Sequence, residues 1–275
     1  FDLSEDDGLD DWIKDRNYIT PTRTGLPFTM PHCGLAPGMS TIIANHLTES
    51  FSDLHDVKIR VGALSQDATN KLKYHASWSG DGLVNEYMGK CQVVRNGSFD
   101  MVDALSGYET LVIDGIDYEA FHTSGGIGTF AETLADRNIA GVNADYKTVR
   151  RVGHHQYVDF LFNDLKLPQD VLTDMFKKYI PTTRKDQVLL YAAAGGYTGN
   201  EISYQTRTYD MMFKPSFIFG QTYTAIEYTT ACGILSMVEL FLDGKLPKEG
   251  YVRQESVSWE DASSTSFGRF YREDY

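Results

Sequence analysis

Two dipeptides narrow the choice of fold more than any other feature of the chain. Asn96-Gly97 lies between two extended runs within residues 93–99, and Asp114-Gly115 repeats the device within 111–118. Asn, Asp and Gly tolerate the left-handed backbone that a two-residue hairpin turn demands, so each pair predicts two adjacent antiparallel strands. A third hairpin is read over 188–209, with Gly195-Gly196-Tyr197-Thr198-Gly199-Asn200 as its turn. With strands arriving as hairpins and helices mostly after glycine turns, the bulk of the chain reads as α+β: a mixed, largely antiparallel sheet covered by helices.

The remaining elements follow from periodicity. Residues 57–64 alternate apolar and polar and then become wholly small or apolar, as a strand does on entering a core. Residues 71–78 form a second strand candidate, broken by Ser79-Gly80-Asp81-Gly82 ahead of a short helix over 83–88. Residues 145–150 read as a strand ending in Arg151-Val152-Gly153-His154-His155, and the helix behind it is expected to bury Tyr157, Phe160, Leu161 and Leu165. Pro168 restarts a helix with Val171, Leu172, Met175, Phe176 and Tyr179 inward, until Pro181 stops it. The longest apolar run, 229–242, contains Glu239 and is flanked by Glu227 and Asp243, which favours a buried helix ending at Gly244 over a bilayer span.

The first fifty residues differ, being α/β in character. Their order of strand, helix, strand, glycine turn and helix is that of the end of a Rossmann-like, doubly wound unit, and Phe1 stands inside a strand over 1–3, which suggests a missing upstream part. Residues 31–40, Pro-His-Cys-Gly-Leu-Ala-Pro-Gly-Met-Ser, make a glycine turn opening a helix, with Ser40 as N-cap and first-turn amides that would accept an anion. On local evidence alone a plain strand-to-helix connection, with Cys33 as a small buried hydrophobe, is the slightly favoured reading of the stretch. A second glycine turn, 124–128, precedes a capping box of Thr129 and Glu132; it either cradles a carboxylate or phosphate or serves geometry alone.

A net charge of −13 disfavours nucleic acid and anionic membrane as partners. Three cysteines, far apart and in no CxxC pairing, suggest neither disulfides nor zinc and fit a reducing, cytoplasmic setting. Only His154 and His155 adjoin among the histidines, so no metal site is expected. Cys33 is a candidate nucleophile with His32 or His154, although no base is specified by spacing. Arg150 or Arg151, at a strand terminus, suits bidentate capture of a carboxylate, or the two form a solvated basic pair. Asp2, with Glu5 and Asp6, could hold an ammonium or move a proton, or simply begin a helix. No G-x-G-x-x-G follows a strand in a βαβ unit.

Five segments in register carry a resemblance. They are His32-Cys33-Gly34-Leu35-Ala36-Pro37-Gly38-Met39, residues 73–87 (Lys-Tyr-His-Ala-Ser-Trp-Ser-Gly-Asp-Gly-Leu-Val-Asn-Glu-Tyr), Ala120-Phe121-His122-Thr123-Ser124-Gly125-Gly126, Tyr146-Lys147-Thr148-Val149-Arg150 and Gly153-His154. Together they resemble the saccharopine dehydrogenase and lysine 6-dehydrogenase family. The resemblance implies an oxidoreductase that oxidises the amine carbon of lysine or a lysine-derived secondary amine with NAD or NADP, the cofactor carrying the redox chemistry. It divides the chain into the last elements of a coenzyme domain (1–50), an α+β substrate-binding and dimerisation domain (51–245), and a C-terminal segment (246–275) returning toward the first part.

Carried over by position, Gly34, Leu35 and Ala36 resemble the turn near the nicotinamide end, with Gly62, Ala63 and Trp78 as further cofactor contacts. Ser79, Thr148, Val149 and Arg150 resemble the substrate-binding set; the catalytic group stays open among Asp2, Cys33 and His154. Ala36 replaces an acidic residue of the saccharopine-specific branch, and an arginine near Gly125-Gly126 is missing, which leaves the amino-acid substrate open. The expected partners are a small amino acid and a second copy in a homodimer. Without the first half of a coenzyme domain the chain is expected to be inactive by itself; the alternative is a non-catalytic binding or assembly module on the same fold.

Overall fold

The computed structural model describes residues 1, 3, 28–199, 203–218 and 220–272; Asp2, Glu5, Asp6 and the expected elements over 9–27 lie outside them. In chain order the elements are β1 (Phe28–Thr29), α1 (Met39–Thr48), β2 (Asp53–Ser65), α2 (Gly80–Glu86), β3 (Lys90–Arg95), β4 (Ser98–Asp103), β5 (Glu109–Ile113), β6 (Ile116–Phe121), α3 (Phe130–Asp136), β7 (Asn143–Arg151) and α4 (His154–Asp159). They continue through a π-helical turn (Phe160–Asp164), α5 (Gln169–Tyr179), β8 (Asp186–Tyr197), β9 (Gln205–Phe213), β10 (Ser216–Ile218), β11 (Gln221–Tyr223), α6 (Ala225–Leu242), β12 (Gly250–Tyr251) and α7 (Trp259–Ser264).

Eight strands form the main sheet, ordered β4-β3-β7-β2-β8-β9, with β6 also on β7 and β5 on β6. Every pairing in it is antiparallel except β2 with β7, so the mixed, largely antiparallel expectation holds. Asn96-Gly97 and Asp114-Gly115 turn the β3–β4 and β5–β6 hairpins with φ of 51° and 80°, and 53° and 73°. One face of the sheet packs on α1, α3, α6 and α7 through Ile42, Ile59, Val61, Phe130, Tyr146, Leu190, Met237 and Ala262. A satellite core of Tyr74, Leu83, Tyr87, Phe121, Val158, Leu172 and Phe176 lies between α2, α4 and α5. On the opposite face, buried Arg60 reaches Glu109 and Asp145 (2.7 Å), and Lys147 reaches Glu109 at 2.9 Å, which ties β5 to β2 and β7.

The expected elements differ in four places. Residues 71–78 form no strand: the Asn70 amide accepts from Tyr74 N and donates to Tyr74 O, and Ala76 alone bridges to Thr182. Tyr157, Phe160 and Leu165 are exposed; on α4 it is His154 and Val158 that turn inward, and a π-helical turn follows. On α5 Leu172 and Phe176 are buried and Met175 packs, partly buried, against the same core, leaving Val171 and Tyr179 exposed. Gly195 and Gly196 lie within β8 rather than in a turn; a Cβ on Gly196 would stand 2.1 Å from Asp53 O, so glycine serves close approach to β2.

Helix α6 is long and apolar enough by composition to cross a membrane. In this fold it buries one side through Tyr228, Cys232, Met237 and Leu240, and opens with a reciprocal cap between Thr224 and Glu227. Its buried start is held by Asp186, whose carboxylate accepts from the amides of Ala225 (2.7 Å) and Ile226 (2.9 Å). Strand β12, from the C-terminal segment, pairs in parallel with β1.

Candidate functional site

A cleft of about 1120 Å³ opens at one end of the sheet. Val61 and Ala63 of β2 and Tyr146, Thr148 and Arg150 of β7 form its floor. The turn Gly34-Leu35-Ala36-Pro37 makes one wall, the side of α6 with Glu227, Thr230 and Ile234 a second, and Ser77, Trp78, Ser79, Asn85 and Glu86 a third. Strand alternation explains which β7 residues reach it. Thr148 and Arg150 point into the cleft, whereas Val149 points to the other face, packed with Leu64, Tyr118 and Leu189.

Two expected contacts are corrected by that alternation. Val149 does not line the cleft, nor does Gly62, whose missing Cβ would stand 2.6 Å from Val149 O; glycine there allows β2 and β7 to approach on the far face. Gly34, Leu35, Ala36, Ala63, Trp78, Ser79, Thr148 and Arg150 are brought together around one space.

Arg150 is the largest fully buried side chain among those described. Its Nε donates to the Tyr87 hydroxyl (2.9 Å) and Nη1 to Val149 O (3.1 Å), while Nη2 stands 3.5 Å from Glu86 Oε2. The guanidinium also lies over the Tyr74 ring at 5.2 Å. His154 sits behind this group rather than in the cleft: its Nε2 meets the Tyr87 hydroxyl at 3.0 Å and its Nδ1 meets Leu72 O at 2.9 Å. Since Leu72 O can only accept and Arg150 already donates to Tyr87, the partners assign a neutral ring with its proton on Nδ1. Burial, followed by the Arg150 charge, lowers the His154 pKa to about 3. Glu86 moves the other way: burial raises its carboxyl to about 7, with Arg150 opposing.

These shifts act in opposite directions on stability. His154 binds its proton less well when folded, so its contribution is present above the ordinary histidine value of 6.5 and is lost as pH falls toward 3. Glu86 binds its proton better when folded, so its contribution is present below 4.5 and is lost as pH rises through 7. Between pH 5 and 7 the two slopes oppose. Glu86→Gln should therefore expose the histidine, and its urea-unfolding stability should fall by about 2 kcal/mol from pH 7 to pH 5 relative to the wild-type profile. A variant whose profile matches the wild type would contradict this.

Cys33 is also placed outside the cleft. It is 1% exposed, and its thiol donates to Met30 O at 3.2 Å. The small-hydrophobe alternative describes it better than a nucleophile. Its alkylation by iodoacetamide should proceed only at the rate of unfolding; fast labelling of the native protein would contradict that burial. Asp2 lies outside the described residues.

The first glycine turn offers no free anion cradle. Gly38, with φ of 140°, caps α1 in place of Ser40, and the first-turn amides are already bonded: Met39 N to Gly34 O, Ser40 N to Leu35 O, Thr41 N and Ile42 N to Gly38 O. At the second turn Thr129 accepts from no amide of its own helix; its hydroxyl donates, with that of Thr133, to the buried carboxylate of Glu255, and Glu132 is taken by Arg253. No group of three or more His, Cys, Asp or Glu suited to a metal occurs among the described residues.

Sequence reading misses Glu86, Tyr74 and Tyr87, although all three fall within the 73–87 motif. A buried acid was detectable there only as a lone Glu beside aromatic and apolar neighbours, a weak signal.

Residues 34–269 match the family model described as the saccharopine dehydrogenase C-terminal domain. The chain belongs to that family. Among solved structures it is similar to apo histidine-tagged saccharopine dehydrogenase (L-Glu forming) from Saccharomyces cerevisiae, with a TM-score of 0.62 at 15% identity over 85% of this chain and 69% of that one. At such identity the likeness is one of fold. The family generally uses NAD(P). The first glycine turn does not fit the pyrophosphate of such a coenzyme, because its helix-opening amides are bonded within the chain itself.

Proposed function

We propose that the cleft is the amino-acid site of a saccharopine-dehydrogenase-type oxidoreductase acting on the amine carbon of lysine or a lysine-derived secondary amine. The observation that carries this reading is Arg150, a planar cation held rigidly by Tyr87 and Val149 O at the floor of the cleft, beside Thr148 and near Ser79. Such a fork, desolvated and oriented before ligand arrives, suits a carboxylate. Thr148, tied to Thr123 at 2.6 Å, is a second polar group on the same floor.

NAD or NADP would bring its nicotinamide end to substrate where Gly34, Leu35, Ala36, Ala63 and Trp78 edge the cleft. Exposed Phe99, Met101, Val112 and Ile116 on the two hairpins supply apolar surface for a homodimer, which sedimentation would check. A reducing, cytoplasmic setting accords with cysteines kept as buried thiols.

Thermal shift with L-lysine and saccharopine tests the reading: stabilisation of the wild type that survives unchanged in Arg150 variants would remove Arg150 from its role. The first glycine turn, whose helix-opening amides are bonded within the chain, favours a second reading, a binding or assembly module without catalysis. NAD(P)H production from lysine or saccharopine by the chain alone would remove that one.

A further inference from the structure

We propose that Glu86 is the second half of an amino-acid headgroup site, its carboxylate receiving the α-ammonium of the ligand whose carboxylate Arg150 holds. The proposal rests on the reading of Arg150 given above.

Glu86 ends α2 and lines the cleft, with its side chain 12% exposed. Its Oε2 is shut away from solvent and accepts no hydrogen bond. Arg150 is its nearest cation, but Nη2 stands at 3.5 Å, while Nε and one Nη1 hydrogen go to Tyr87 and Val149 O. A desolvated carboxylate with one oblique ion pair is poorly compensated, and such groups are retained where a further partner completes them. Its raised proton affinity is the consequence expected of that shortage.

The other charges around it do not meet the demand. Tyr74 and Tyr87 lie against Arg150, and His154, behind Tyr87, is held neutral. Glu227 also lines the cleft, but its carboxylate is already engaged by Arg184 at 3.1 Å and by Thr224 N at 2.8 Å. Among the described lining residues the cleft thus carries one cation, Arg150, and one carboxylate with unmet demand, side by side. A zwitterion with both charges on one carbon, the headgroup of an α-amino acid, matches that pair.

Titration calorimetry of the whole chain at pH 7, in buffers of different ionisation enthalpy, separates the possibilities with two probes. L-lysine and 6-aminohexanoate share a carboxylate and a terminal ammonium and differ by the α-ammonium. L-lysine should bind with net proton release, because its ammonium favours the ionised form of a carboxyl whose proton affinity burial raises. 6-Aminohexanoate should bind with proton uptake, because a second carboxylate beside Arg150 makes Glu86 easier to protonate. Glu86→Gln should weaken L-lysine at least tenfold, abolish its proton release, and leave 6-aminohexanoate within twofold.

Equal affinity and equal proton count for both probes on the wild type would overturn the role of Glu86 while leaving that of Arg150 standing. Binding of neither would overturn both. Binding of both that is lost in Arg150→Lys, with opposite proton counts on the wild type, supports both. The wild-type measurements suffice even where a variant fails to fold.

Discussion

Arg150→Ala should cost about 3–5 kcal/mol in urea unfolding, the range for stripping one partner from a buried ion pair, and should abolish any thermal shift given by L-lysine. The side chain is 2% exposed and fills the space between the Tyr74 and Tyr87 rings. Its removal leaves a cavity there, takes a donor from the Tyr87 hydroxyl, and strands Glu86 without a cation. Arg150→Lys separates folding from recognition. An ammonium keeps the charge and so recovers part of the stability, but it cannot reach Tyr87, Val149 O and a ligand carboxylate in one plane. A lysine variant still stabilised by L-lysine to the wild-type extent, or an alanine variant as stable as the wild type, would contradict this account.

Gly38→Ala should be of similar size for a different reason. Gly38 has φ of 140°, and a Cβ there would stand 2.0 Å from Gly34 O. Gly233 of α6 approaches the same carbonyl from the other side, its missing Cβ 2.3 Å away. Both obstacles are backbone and cannot swing aside. Strain at the left-handed position and overpacking together put the loss at about 3–5 kcal/mol for Gly38→Ala. Gly89, with φ of 76° and nothing within 4 Å of a Cβ, is the control, at about 1 kcal/mol on alanine substitution. Equal destabilisation at the two positions, read by urea unfolding, would contradict the crowding argument.

The hairpins were legible because Asn-Gly and Asp-Gly carry their instruction within two residues. Helix caps were less so. Thr129-x-x-Glu132 and Thr224-x-x-Glu227 have identical spacing, yet only the second closes on itself. At the first, Glu255, far along the chain, captures the threonine hydroxyl, and Arg253 captures the glutamate. A local pattern states what a residue can do, and a distant competitor decides whether it does so. Within the site, Arg150 could be singled out because a strand terminus aims alternate residues. Glu86 could not, since its importance lies in what it lacks, a hydrogen-bond partner, and that is visible only once β7 lies beside α2.

The contacts of Gln254 and Glu255 couple two distant stretches of the chain. Gln254 donates to Thr41, Glu255 O accepts from Asn45 at 2.9 Å, and β12 supplies the strand beside β1. Helix α1 and strand β1 thus depend on residues more than 200 positions further along the chain. Removal of residues 250–272 should leave α1 unprotected against amide hydrogen exchange, and protection equal to that of the intact chain would contradict this coupling.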